Sequence, residues 1–537
     1  MPGQDSYVGK VLASSASGAP MLIMVQVAVK LFTFAANQLI LRSLSPTILG
    51  IATQLDLCSI TILSFSREAV RTAIQRQPLL FHSAAVVPKK DGSSDGHAKS
   101  SDARASASQS VVNAAYLSLG IGVPLSVAAT LLYIYLAPSE AVRVLFFHSS
   151  VVITGAASLL ELGTEPFFAI VQQHMLYKTR AVVEMSAAFA KSVTICSAFA
   201  WASWTGHDVG VFPFALGYLS NSITLLCGYS MTMLKTASEN RFSFLLTRIS
   251  SSGPSDYIAG RFSRPLVSLS ASVFFQSVVK HLLSQADSMI LASMASLEAQ
   301  GIYSLASNYG GLVARILFQP IEESSRNLFS LLLSPSEANM RDTYTIGAAK
   351  SHLVDILRGY GILSAIILPV GPVLAPRLVH ILGGRRWASP EVDGLLSLYC
   401  YYIPFLAFNG ITEAFVSSAA SPADLRRHAG WMGAFSACFA VAAYVFLKIG
   451  GLGARGLVWA SIVTMAFRLL WSCRFIRAYF RRFENDLALS DATLRLATVA
   501  VGMVSASIMP AGQERLGSDV KSVLTVLGFG AVYTLLV

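Results

Sequence analysis

The chain has 537 residues, 54% of them hydrophobic and only 13% charged, with a mean hydropathy of +0.58 and a formal net charge of +11. Soluble domains carry nearer 25% charged residues, so this chain cannot cover a water-facing surface of its size, and a soluble globular protein is excluded. The basic balance fits Lys and Arg collected in cytoplasmic loops of a membrane protein; no basic stretch is interleaved with aromatics in a soluble segment, which excludes nucleic acid as a partner.

Apolar runs near about 20 residues long predict a polytopic α-helical membrane protein rather than a barrel. The first 18 residues hold one lysine, Lys10, and the run from Met21 is long enough to span, which predicts an uncleaved anchor. Fourteen spans are predicted, beginning near 19, 47, 110, 141, 180, 211, 266, 301, 354, 394, 428, 452, 493 and 519. Between the second and third lies Asp91–Ser110, without a large apolar residue, which predicts a disordered loop over about 83–110.

The expected domains are an N-terminal lobe (1–235, helices 1–6), a basic cytoplasmic linker (236–264) and a C-terminal lobe (265–478, helices 7–12). A basic loop with helices 13 and 14 follows (479–537). Connections after even-numbered spans hold 21 Lys and Arg against 6 after odd-numbered ones, which predicts that the even connections and both termini are cytoplasmic.

A faint internal repeat supports two lobes. Gln26-x-x-x-Lys30 matches Gln276-x-x-x-Lys280, Gly50-Ile51 matches Gly301-Ile302, and Glu68-x-x-Arg71 matches Glu323-x-x-Arg326, in the same order. Duplicated bundles of this kind suit transporters that rock about a midplane site.

Charges within apolar runs carry the functional signal, because a charge at the centre of a bilayer helix costs about 2.5–3.5 kcal/mol. Lys30, Arg42, Arg315 and Arg468 are the candidate cations for an anionic headgroup, arginine being able to hold phosphate oxygens bidentately, and Arg67 lies with Glu68 and Arg71 at the cytoplasmic mouth of the second span. Lys30, Arg42, Arg315 and Arg468 have no carboxylate one turn away on their own helix. Glu68 with Arg71, and Glu323 with Arg326, are three apart and are expected to satisfy each other. Lys280 and Asp287 are seven apart on one face and are expected to pair. Asp56 and Asp287 are alternatively coupling-ion or proton carriers.

Six cysteines are scattered with no CxxC pair, and no His/Cys/Asp cluster has metal-ligand spacing. Neither a P-loop nor a GxSxG elbow is present. The sequence therefore predicts no bound metal or cofactor and no enzymatic activity.

The segments SFSREAVR (64–71), ELGTEPFF (161–168), KHLLSQADSMI (280–290), QGIYSLASNYGGLVARILFQPIEESSR (300–326) and YCYYIPFLAFNGITEAF (399–415) resemble the Rft family of endoplasmic-reticulum membrane proteins. The resemblance runs from Met21 to about Arg482. It implies the fold of the multidrug/oligosaccharidyl-lipid/polysaccharide flippase superfamily, with fourteen helices in two pseudo-symmetric six-helix lobes plus two. It also implies movement of dolichol-diphosphate-linked oligosaccharide from the cytoplasmic to the lumenal leaflet for N-glycosylation, with contacts to other proteins of that pathway.

By motif, the family's cavity cations fall on Lys30, Arg42, Arg67, Arg315 and Arg468. Lys30 stands where relatives often have Arg. Gln285-Ala286-Asp287-Ser288 departs from a pattern more like Glu-Gly-Asp-Lys, losing an acid and a base together. Two alternatives stay open: a non-transporting glycolipid-binding or scaffold factor, and an ion-coupled exporter of the same superfamily. A glycosyltransferase is disfavoured because the first lumenal loop, 43–50, has no acid.

Overall fold

A computed structural model of the chain describes residues 40–76, 95–174, 176–240, 242–249, 257–333 and 343–483, with a few single positions beyond them. Lys30 and the spans expected near 19, 493 and 519 lie outside the described residues. Among the described residues the structure is helical, α apart from short π and 3-10 turns, with one hairpin of two-residue strands. Among the described residues eight helices are long and apolar enough to cross a membrane, or nine if a bent helix counts as one span. This is an all-α polytopic membrane protein.

Two compact units divide it: residues 1–43 with 54–284, and residues 44–53 with 285–537. The division falls inside a helix rather than in the 236–264 connection, because that connection is packed into the first unit.

The first unit is built from α1 (Pro46–Arg76, from residue 54 on), α2 (Asp95–Leu136), α3 (Phe147–Leu162), α4 (Glu165–Gln173), α5 (Tyr177–Thr205), α6 (Phe212–Asn240) and the start of α7 (Arg264–Met294). The loop expected through 110 differs from the structure, since α2 already runs from Asp95. Ser108, Gln109, Ser110 and Asn113 are buried on it. Polar side chains at these positions have a structural task that composition does not reveal. Asn113 Nδ2 donates to the carbonyls of Thr247 and Arg261, both at 2.8 Å, and Gln109 Nε2 donates to that of Leu245 at 3.0 Å. The Ser243 N–H donates to Gln109 Oε1 at 2.9 Å, and Tyr116 OH donates to the Phe244 carbonyl at 2.8 Å.

The mid-chain connection is thus a strap clamped by its backbone. It ends in β1 (Tyr257–Ile258) and β2 (Phe262–Ser263), paired antiparallel with Tyr257 opposite Ser263. Ala259 and Gly260 turn the hairpin with positive φ of 54° and 65°, the combination that a tight right-twisted hairpin requires. Phe242 of the strap packs with Val70, Val111, Phe168, Tyr229 and Leu266, so apolar burial fastens what the amides align.

The second unit holds residues 44–53, the end of α7, α8 (Leu297–Val313), a π-helical turn (Ala314–Phe318), α9 (Gln319–Leu333), α10 (Thr343–Gly383), α11 (Pro390–Ala419), α12 (Pro422–Tyr444) and α13 (Ala454–Arg481). The repeat glycines meet here. A Cβ on Gly50 would strike the Leu297 carbonyl, and one on Gly301 would strike the Pro46 carbonyl, so only glycine lets the two backbones come this close. Thr53 Oγ1 donates to Ser304 Oγ at 3.1 Å beside that crossing.

α10 carries Pro369, Pro372 and Pro376 within its 41 residues. Proline at 376 removes the N–H that would serve the Pro372 carbonyl, and Ser397 Oγ of α11 donates to that carbonyl at 2.7 Å. A neighbouring helix satisfying the freed group is what lets proline persist in membrane helices.

Candidate functional site: arginine–carboxylate pairs within each unit

In the first unit, Arg67 and Arg71 are one turn apart on α1 and project from the same face. Opposite them the chain breaks between α3 and α4 at Gly163 and Thr164, where Thr164 Oγ1 donates back to the Glu161 carbonyl at 2.6 Å. The break puts Glu161 at the end of one helix and Glu165 at the first position of the next, where the positive end of the helix dipole also favours a carboxylate.

Arg71 grips Glu165 bidentately, Nε to Oε2 at 2.9 Å and Nη2 to Oε1 at 2.6 Å. Arg67 Nη1 donates to Glu161 at 2.8 Å and to Glu165 at 3.4 Å. Asn221 of α6 adds a donor to Glu161 at 3.3 Å, and the Phe168 ring lies 3.8 Å beneath the Arg71 guanidinium. The Glu165 side chain is 3% exposed, so its charge rests almost wholly on the two arginines.

Nearer the start of α1, Asp56 accepts the Tyr218 hydroxyl at 2.9 Å, and the Lys191 ammonium sits 4.0 Å over the Tyr218 ring. On α7, Lys280 approaches Glu68 at 3.6 Å with side chains 74% and 44% exposed, and His281 bonds Thr61 at 3.1 Å.

The pairings expected from spacing on one helix are therefore exchanged. Arg71 takes Glu165 rather than Glu68, and Lys280 takes Glu68 rather than Asp287. A carboxylate facing an arginine from another helix can accept two parallel N–H bonds, whereas neighbours three apart meet only side by side.

In the second unit, Arg468 of α13 donates from Nη2 to Glu413 Oε2 at 2.7 Å, and Asn409, one turn before Glu413 on α11, donates to the same oxygen at 3.0 Å. Glu322 of α9 lies against Gly410, where a Cβ would collide with its carboxylate. Asp287 is exposed and within electrostatic reach of Arg468. Glu323 accepts from Gln319 at 2.9 Å, and the Arg326 carbonyl accepts from Ser418 at 3.1 Å. Arg315 has its backbone in the π-helical turn, a local widening found disproportionately at functional sites. Arg42 stands exposed in the turn before α1.

Sequence reasoning passed over Glu161, Glu165 and Glu413, although all three lie in the segments that carry the family resemblance. It also passed over Lys191, which the search for mid-helix charges could have found. No group of His, Cys, Asp and Glu able to hold a metal ion occurs among the described residues.

The Rft-1 family model, described as Rft protein, matches residues 14–537. The Man(5)GlcNAc(2)-PP-dolichol translocation protein RFT1 of Eremothecium gossypii is 33% identical, over 89% of this chain and 85% of the relative. The protein of the same name from Yarrowia lipolytica is 33% identical over 95% and 77%, and that from Saccharomyces cerevisiae 32% over 89% and 85%.

Among solved structures, the lipid II flippase MurJ in an inward closed conformation aligns with a TM-score of 0.62 at 10% identity, covering 96% of this chain and 97% of that one. An inward-facing multidrug resistance MATE family transporter of the MOP superfamily aligns with a TM-score of 0.53 at 15% identity, over 85% and 99%. At such identities the likeness establishes the fold alone.

Proposed function

We propose, from the premise that the chain belongs to the Rft protein family, that it moves dolichol-diphosphate-linked oligosaccharide from the cytoplasmic to the lumenal leaflet of the endoplasmic reticulum. It acts as a translocator, not an enzyme, in protein N-glycosylation. The observation that carries this reading is that relatives about one-third identical over most of both chains are named translocation proteins for that glycolipid.

The chemistry supports it. A diphosphate bearing a glycan cannot enter hydrocarbon unaided, and an unpaired ion there costs many kcal/mol. Guanidinium groups embedded in apolar helices offer the planar, always-charged partner that a diphosphate needs. Lys30, Arg42, Arg67, Arg315 and Arg468 form the proposed headgroup set, while Asp56, Glu68, Lys280, Asp287, Glu323 and Arg326 are structural charges within their own units or couple transport to an ion.

The complete count of fourteen helices in two six-helix lobes plus two belongs to the same proposal, supported by the loop-charge alternation and the repeat. So do the cytoplasmic termini and contacts with other proteins of the glycosylation pathway.

The test is reconstitution of the purified chain in liposomes carrying the dolichol-linked glycan, read by its accessibility to a lectin or hydrolase on each side. Wild type should equilibrate the two leaflets, and Arg315→Ala or Arg468→Ala should slow this at least tenfold. Inactive wild-type protein, with the same alanine variants still supporting glycosylation in cells, would overturn the reading in favour of a non-transporting factor.

A further inference from the structure

The two units share a short motif beyond the glycines and charges of the sequence repeat. Thr164-Glu165-Pro166-Phe167 of the first corresponds to Thr412-Glu413-Ala414-Phe415 of the second. In both the glutamate holds an arginine, but the two grips differ in kind. Glu165 is 3% exposed and held by Arg71 through two nitrogens, with Arg67 as a further donor. The Arg468–Glu413 pair has a single nitrogen–oxygen contact, and its side chains are 20% and 30% exposed.

A buried bidentate pair is held firmly, because separating it strands a charge. A half-open monodentate pair can exchange, because water or another anion reaches both partners. Two further features of the second unit favour exchange. Asn409 already donates to Glu413, so the carboxylate keeps a partner when the arginine leaves. Glu322, seated against Gly410 one turn away, lies near enough to repel Glu413.

From this geometry we infer that Glu413 is a resident counter-anion, occupying Arg468 when substrate is absent and displaced from it by the diphosphate of the lipid carrier. The inference rests on the proposed function for its ligand class. Carboxylate and phosphate oxygens are alternative acceptors for the same guanidinium fork, so one is exchanged for the other without leaving the cation bare in an apolar surrounding. Return of Glu413 to Arg468 then helps release the headgroup. Glu413 is a positioning residue that acts through Arg468, and the motif shared with Glu165 has diverged from a static brace into an exchangeable gate.

The experiment measures binding of inorganic diphosphate and of farnesyl diphosphate to the full-length protein in detergent, together with glycolipid transport in liposomes. Glu413→Gln removes the competitor and should tighten diphosphate binding about fivefold, the scale of a partly exposed ion pair. In transport it should lower the half-saturating glycolipid concentration and the maximal rate together. Glu413→Asp should restore both toward wild type, and Arg468→Ala should abolish the gain from Glu413→Gln.

Tighter binding of farnesyl diphosphate with no change for inorganic diphosphate still supports the exchange and assigns it to the lipid-borne headgroup. Unchanged binding of both probes, or weaker binding accompanied by a lower melting temperature, overturns it and leaves Glu413 a structural brace. Because binding is read without transport, a transport-inactive wild type would defeat the proposed function while leaving this inference open to the same measurement.

Discussion

The pair Glu165–Arg71 gives the sharpest prediction about what holds the first unit together. Glu165→Gln keeps the shape and one acceptor oxygen but removes a charge whose side chain is 3% exposed and which meets guanidinium nitrogens at 2.6, 2.9 and 3.4 Å. Removing one partner of a buried ion pair typically costs about 3–5 kcal/mol. Arg71 is itself 21% exposed, and Arg67 keeps Glu161, so the lower end, about 3 kcal/mol, applies here. For a unit of this size each kcal/mol moves the melting temperature by about 2–4 °C, which gives a drop of about 6–12 °C.

Thermal unfolding in detergent, followed by intrinsic fluorescence, reads this directly. The matched control is Glu184→Gln, which breaks an exposed pair with Arg180 whose side chains are 45% and 41% open and should move the midpoint by less than about 2 °C. Equal shifts for the two variants would refute the reasoning, because burial would then have no part in the strength of the pair.

Three other outcomes follow from packing and capping elsewhere in the two units. Gly301→Ala forces a methyl onto the Pro46 carbonyl and should destabilise by about 1–3 kcal/mol, whereas Gly347→Ala, with open space around it, should stabilise by about 0.5–1 kcal/mol. Melting midpoints moving in the same direction would argue against the glycine crossing. Asn113→Ala leaves the Thr247 and Arg261 carbonyls without their donor, so limited trypsin digestion should cut faster at Arg248 and Arg261 than in wild type. Asp424 caps α12, and its carboxyl is held below the usual carboxylate value, chiefly by the Ser421 hydroxyl. A depressed native value means stabilisation present above about pH 4 and lost as pH falls through the native value. The wild type should therefore melt above Asp424→Asn at pH 7, with the gap closing below pH 4; a gap constant with pH would exclude the carboxylate as its source.

The membrane class of the chain was legible from composition because lipid sets a simple demand: apolar runs of fixed length with few charges between. The pairing of two glycines was legible as well. Gly50 and Gly301 recur at matching positions, and these positions meet where the α1 and α8 backbones come too close for a side chain. Which charge answers which was not legible. Spacing along one helix ranks only neighbours three or four residues away, yet Arg67 finds its acid 94 residues downstream and Arg468 finds its acid 55 residues upstream. The mid-chain strap was hidden in the same way. Its polar, aperiodic residues read as a linker, and its order comes from Asn113, Gln109 and Tyr116 of α2 reaching its carbonyls. The sequence alone determined that the chain is a polytopic helical membrane protein and which family it belongs to. Only tertiary packing decided which carboxylate neutralises each arginine, because that depends on helices brought together from distant parts of the chain.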